Sequence, residues 1–159
     1  MFAQPQSEHH WLDSFVGDWT FEGECLMGPD QPAQKNTGKL SFRSLGGLWI
    51  VGDGEAGEPD GEDYHRSVMT IGFDPVKGRF VGSFVATMMT HFWLYDGHLD
   101  EAGRKLTLEA TGPRFDDQGM TKYHDIIEKN DDGTWKLSSQ IYLDDGTWMP
   151  FMWATYKKA

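Results

Sequence analysis

The sequence has a single cysteine, Cys25, among its 159 residues. No disulfide can form within the chain, which fits a reducing compartment, and Cys25 reads as a small apolar strand residue rather than a nucleophile. Positive charge is also scarce. Lys and Arg number 14 against 25 Asp and Glu, a formal charge of -11. A field of that sign repels phosphate backbones and anionic lipid, so no nucleic acid and no membrane is expected as a partner. No apolar run approaches the roughly 20 residues of a spanning helix. The segment Met1 to Glu8 lacks the basic and apolar regions of a signal peptide, and the expected location is cytoplasmic.

Catalytic signatures are missing too. There is no Gly-X-Ser-X-Gly, no Walker lysine loop, no dinucleotide fingerprint, no His-Glu-X-X-His and no EF-hand loop with its closing Glu. The sequence therefore names no catalytic residue, and neither a metal nor a cofactor is expected. The acidic pairs Asp116-Asp117, Asp131-Asp132 and Asp144-Asp145 read as solvated turns.

Large side chains are abundant: 7 Trp, 10 Phe and 8 Met. They suit a closed barrel or a sandwich better than a thin open sheet. Ser7 and Glu8 followed by Trp11, Leu12 and Phe15 at helical spacing, with Gly17 as a stop, predict one short helix over about 7–16 whose apolar side faces inward. Residues 1–6 read as a flexible tail, and His9 and His10 as solvated. Apolar runs of about six to nine residues follow. The first alternates Trp19, Phe21, Gly23, Cys25 and Met27 with Glu22 and Glu24; later runs cover Leu40–Phe42, Leu48–Val51, Ser67–Phe73, Arg79–Thr87, Met88–Tyr95, Lys105–Ala110, Thr121–Lys129, Trp135–Tyr142 and Met149–Lys157. Asp-Gly pairs at Asp53, Asp60, Asp96, Asp132 and Asp145, and the Asp74–Gly78 stretch, read as turns; Gly52–Asp63 reads as the longest loop. The expected fold is all-β: one single-domain, antiparallel, up-and-down barrel of about ten strands with the helix over one end.

Gly17-Asp18-Trp19 after a short helix resembles the Gly-X-Trp signature of lipocalin-like, or calycin-like, barrels. Gly46-Gly47, Gly72-Phe73-Asp74-Pro75 and Arg79-Phe80-Val81-Gly82-Ser83-Phe84 together resemble the bacterial family known as domain of unknown function 1579, with Phe73 standing for its tyrosine and Phe84 for its tryptophan. The resemblance implies a barrel with an internal cavity. It implies no established substrate, cofactor or catalytic residue.

Among the six histidines, His91 and His124 fall inside predicted strands. Alternation sets Asp125 on the face of Tyr123 and Ile127 and turns His124 away, so the two do not form an interior dyad, and it turns Glu109 outward. The Met and aromatic runs 88–95 and 148–153 point to an adaptable apolar cavity. The expected ligand-binding residues are Trp19, Phe21 and Phe84 on one side, with His91, Trp93, Phe151 and Trp153 on the other. The leading expectation is a binding protein for a small apolar or aromatic molecule. Two alternatives are an enzyme with His91 as a general base and a haem barrel using a strand histidine. Since both faces of 88–95 and 148–153 are apolar, a homodimer is a further expectation.

Overall fold

The computed structural model describes residues 2–26 and 30–159; Met27, assigned above to the first run, lies outside them. One helix, α1 (Ser7–Asp13), precedes ten strands: β1 (Gly17–Cys25), β2 (Gln34–Leu45), β3 (Trp49–Ala56), β4 (His65–Asp74), β5 (Arg79–Ala86), β6 (Trp93–Leu99), β7 (Lys105–Pro113), β8 (Met120–Lys129), β9 (Trp135–Tyr142) and β10 (Trp148–Lys158). Each strand pairs antiparallel with the next, and β1 closes the ring on β10. The all-β, up-and-down barrel expected from the sequence is therefore the fold.

Strand alternation decides what fills the barrel. Trp19, Phe42, Ile50, Ile71, Phe80 and Leu106 point inward and are almost wholly buried. The helix ends at Asp13, three residues short of the expected 7–16, and Phe15 reaches the core from the turn beyond it. Trp11, Leu12 and Phe15 together cover one end. Phe15 meets Trp135 edge-on at 5.3 Å, and Trp19 meets the same ring at 5.7 Å. Two of the three indole donors of this floor are satisfied: Trp11 Nε1 donates to the Gly103 carbonyl and Trp19 Nε1 to that of Phe15, each at 2.7 Å.

His9, expected to be solvated, is buried instead. Its Nδ1 accepts the Gln6 backbone N–H at 2.9 Å and its Nε2 donates to the Phe73 carbonyl at 3.0 Å. The imidazole thus closes the helix start and ties α1 to β4. Helical periodicity did not reveal this, because both partners are backbone groups.

Two Asp-Gly pairs lie inside strands rather than in turns. Asp53-Gly54 belongs to β3, which continues to Ala56, and Asp96-Gly97 belongs to β6. Close approach explains the glycines of β3: a Cβ on Gly52 would stand 2.6 Å from the Phe42 ring. Glycine in these strands makes room for a neighbour's bulk instead of a bend. Asp132-Gly133 and Asp145-Gly146 do form hairpin turns, their glycines at φ 87 and 85. Conversely, the run 88–95 is not one strand. The chain turns at 87–92, and β6 begins only at Trp93. Met88, Met89 and Phe92 are exposed there because no ladder holds them against the barrel.

Candidate binding cavity

The barrel is filled at the helix-covered end and keeps a cavity of about 120 Å3 toward the other. Small residues leave this space: Gly54 and Ala56 on β3 and Ala154 on β10 face it, where larger side chains would occupy it. Its walls are mainly apolar, with Phe21, Leu40, Met69, Phe84, Leu137 and Met152, although Asn36, Lys39, Glu55 and Ser67 also border it, and Tyr156 lies flat on Trp135 at 3.9 Å beneath them. Met88 and His65 stand at its outer limit. Drug-sized sites occupy about 300–1,000 Å3, whereas a dry engineered cavity of about 150 Å3 accepts benzene. The space here matches a single ring or less.

Among the described residues, one carboxyl side chain occupies an inward strand position. Asp125, on the inward row of β8, accepts hydrogen bonds from the Tyr95 hydroxyl and, at 2.5 Å, from the Ser139 hydroxyl. Burial pushes its pKa above the usual carboxylate range, while these two hydroxyls pull the other way. The phenols respond in kind. Tyr95 is raised strongly by burial and then by the Asp125 charge, and Tyr156 is raised by the same two causes. Both remain neutral hydroxyls. Trp135 Nε1 is buried without a partner among the described residues, a cost of about 1–3 kcal/mol. Burial also raises the Cys25 thiol, which keeps it a poor nucleophile.

The rest of the open end is plugged by aromatic rings. Trp93 meets Tyr123 at 4.9 Å, Tyr123 meets Phe151 at 6.0 Å, and Phe115 meets Phe151 at 5.1 Å, all nearly edge-on. Gly112 lies directly beneath the Trp93 ring, which any Cβ there would displace. Trp93 Nε1 donates to Met89 Sδ at 2.9 Å, so the plug also holds the turn at 87–92.

The seven residues expected at the ligand separate accordingly. Phe21 and Phe84 line the cavity. Trp19 lies at the floor under α1. Trp93 and Phe151 belong to the plug, Phe151 because a bulge between Pro150 and Met152 turns it toward Tyr123 while Met152 faces the cavity. Trp153 is on the outer face, 38% exposed, its Nε1 donating to Glu24. His91 lies in the turn before β6, stacked edge-on against Trp93, and its Nε2 donates to the Thr111 carbonyl at 2.9 Å. It does not line the cavity; His65 does. Alternation placed the β8 residues as they are. Asp125, Tyr123 and Ile127 share the inner face, and His124 is outside, stacked on Trp148 at 3.9 Å. Glu109 is outward too, paired with Arg79 at 3.1 Å. Burial lowers the His124 pKa, the Glu109 charge opposing it.

A haem does not fit these residues. The cavity is smaller than drug-sized sites, Trp135, Tyr156 and Phe84 occupy its depth, and the one histidine on its wall, His65, has Nδ1 against the Asp63 carbonyl at the rim. No step through an iron centre follows. No group of three His, Cys, Asp or Glu side chains that could hold a metal occurs among the described residues, and no described helix is long and apolar enough to cross a membrane.

Known proteins fit this picture at the level of fold. The crystal structure of Rv2717c from M. tuberculosis superposes with a TM-score of 0.72 at 13% identity, covering 98% of this chain and 99% of that one. No curated protein matches the sequence. Residues 4–158 match the family described as protein of unknown function (DUF1579), and the chain belongs to that family.

Proposed function

We propose that this barrel binds a small, mainly apolar molecule of single-ring size in its interior. The observation that carries the reading is the cavity of about 120 Å3 walled by Phe21, Met69, Phe84, Leu137 and Met152 in a barrel that aromatic side chains otherwise fill. Core packing leaves few spaces larger than a water molecule. A space of this size framed by small residues is therefore a feature to be explained. Its mainly apolar wall favours an apolar guest over a water cluster, which needs two to four polar partners per molecule.

Benzene and indole test the reading by size. At about ten times its dissociation constant, benzene adds about 1.4 kcal/mol of stability, a rise in Tm of roughly 3–6 °C for a chain of this length. Indole is expected to add nothing to the native protein. Ala154→Leu fills the cavity and should abolish the benzene response, whereas Met152→Ala enlarges it and should admit indole. Ligand-observed NMR that shows no benzene contact with the native barrel at millimolar concentration would sink the proposal.

A further inference from the structure

We infer that the guest of this cavity carries an uncharged hydroxyl at the barrel mouth, held between His65 and Ser67, while its ring lies in the apolar depth. The inference rests on the binding reading above and adds the chemistry of the guest's polar end. Position, hydrogen-bonding roles and charge each support it.

Both side chains border the cavity itself. On β4 they continue the inward row of Ile71 and Met69 toward the mouth. Across the ladder His65 meets Ala56 and Ser67 meets Gly54, residues that bring at most a methyl group inward. A Cβ on Gly54 would stand 2.6 Å from Ser67 Oγ, so this hydroxyl leans over the space that the glycine leaves. One step deeper, Met69 pairs with Phe84, and both are cavity walls. The lining of β4 thus changes from apolar in the depth to polar at the mouth.

His65 Nδ1 stands 3.0 Å from the Asp63 carbonyl. A carbonyl only accepts, so Nδ1 carries the proton, and the neutral imidazole keeps a lone pair on Nε2. Among the described residues that bond is the only one made by the His65 ring, and Ser67 Oγ makes none. His65 therefore offers an acceptor and Ser67 a donor. A hydroxyl answers both together; an ether or a carboxylate has no hydrogen for Nε2. Residues two apart on a strand stand about 6.7 Å from each other at Cα. One oxygen with hydrogen bonds of about 2.8 Å to each side chain bridges such a spacing.

Lys39 and Glu55 border the cavity as well. They pair directly across β2 and β3 and alternate with inward Leu40, Gly54 and Ala56, which sets both on outward rows. Opposite charges at paired positions give the mouth no net sign, and the Nε2 lone pair disfavours an anion. An uncharged polar group is what this end accepts.

Phenol and toluene form a matched pair, a hydroxyl standing against a methyl group. Their affinities are read by ligand-observed NMR titration at pH 8, above the ordinary imidazole value of about 6.5. His65→Phe should weaken phenol by about fivefold, the equivalent of one hydrogen bond of about 1 kcal/mol, and leave toluene within about twofold. In the native protein, nitrogen-15 NMR of His65 should show the proton on Nδ1, and the Nε2 resonance should move upfield with phenol but not with toluene. Equal losses of phenol and toluene in His65→Phe, a proton on Nε2, binding of toluene but not of phenol, or tighter binding of benzoate than of phenol overturns the inference while the cavity reading stands. If His65→Phe does not fold, the native Nε2 resonance decides alone, and its failure to move with bound phenol overturns the inference. Failure of benzene, toluene and phenol alike to bind removes both.

Discussion

The two ends of the barrel use the same kinds of side chain to different effect. At the helix-covered end, Trp11, Phe15, Trp19 and Trp135 pack ring against ring. The amine of Lys129 lies 4.8 Å over Trp11, and burial lowers its pKa. At the other end Phe92, Leu94, Phe115 and Met120 are more than half exposed, and only the plug around Trp93 is packed. Aromatic content alone therefore does not distinguish a floor from a mouth. The difference lies in whether strand ladders and the helix hold the rings on all sides. The floor supplies stability, and the mouth leaves a space that the floor cannot spare.

The largest effect expected from this contrast is at the floor. Trp19→Ala removes a buried ring and its hydrogen bond and should cost about 3–5 kcal/mol, measured by urea unfolding. Trp93→Ala at the plug, where the ring is only partly covered, should cost about 1–2 kcal/mol. Equal costs would erase the distinction between the ends. An intermediate effect concerns Asp125, between the two. Burial holds its folded pKa above the unfolded value of about 3.9. The folded chain thus binds this proton more tightly than the unfolded chain. The group's contribution is fully present below the unfolded value and is lost as pH rises through the folded one. Asp125→Asn does not ionise, so its Tm relative to the native protein should become more favourable as pH rises above the unfolded value and should level off once the folded carboxyl has ionised. A difference that does not change as pH rises above the unfolded value contradicts the assigned direction. The smallest effect is at the rim, where Leu94→Ser, at a position 63% exposed, should change stability by less than about 0.5 kcal/mol.

Much of this was legible in the residues. Period-two alternation and turn chemistry set most strands within a residue or two: β9 matches its expected span, and Asp125 and Glu109 face as their neighbours require. Errors arose where a local signal competed with a distant contact. Asp53-Gly54 and Asp96-Gly97 carry turn chemistry, but a Cβ on Gly54 would meet Ser67 Oγ and one on Gly97 would meet Leu108, on adjoining strands. The apolar run 88–95 gave no sign that it bends at 87–92, because Met and Phe are as apolar in an exposed turn as in a strand. Trp153 illustrates the remaining limit: the bulge at Phe151 exchanges the faces of the residues before it, and alternation carried across it assigns Phe151 and Trp153 to the same side. His65 and Trp135 reach the cavity through barrel closure, which no window of sequence contains.

Closure also separates the ten ladders into two kinds. Nine join neighbours along the chain, whereas β1 meets β10, with Trp153 and Glu24 bonded across 129 positions. Bringing such distant segments together costs about 3 kcal/mol more chain entropy than closing a four-residue hairpin. The meander can zip up hairpin by hairpin, but the β1–β10 seam waits for its last strand. Until then both edges of an open sheet are free to pair with another molecule. During synthesis the risk of misassembly is thus concentrated in the interval before β10 emerges, and a circular permutant that joins β10 to β1 by a short linker would move that hazard to whichever hairpin is cut.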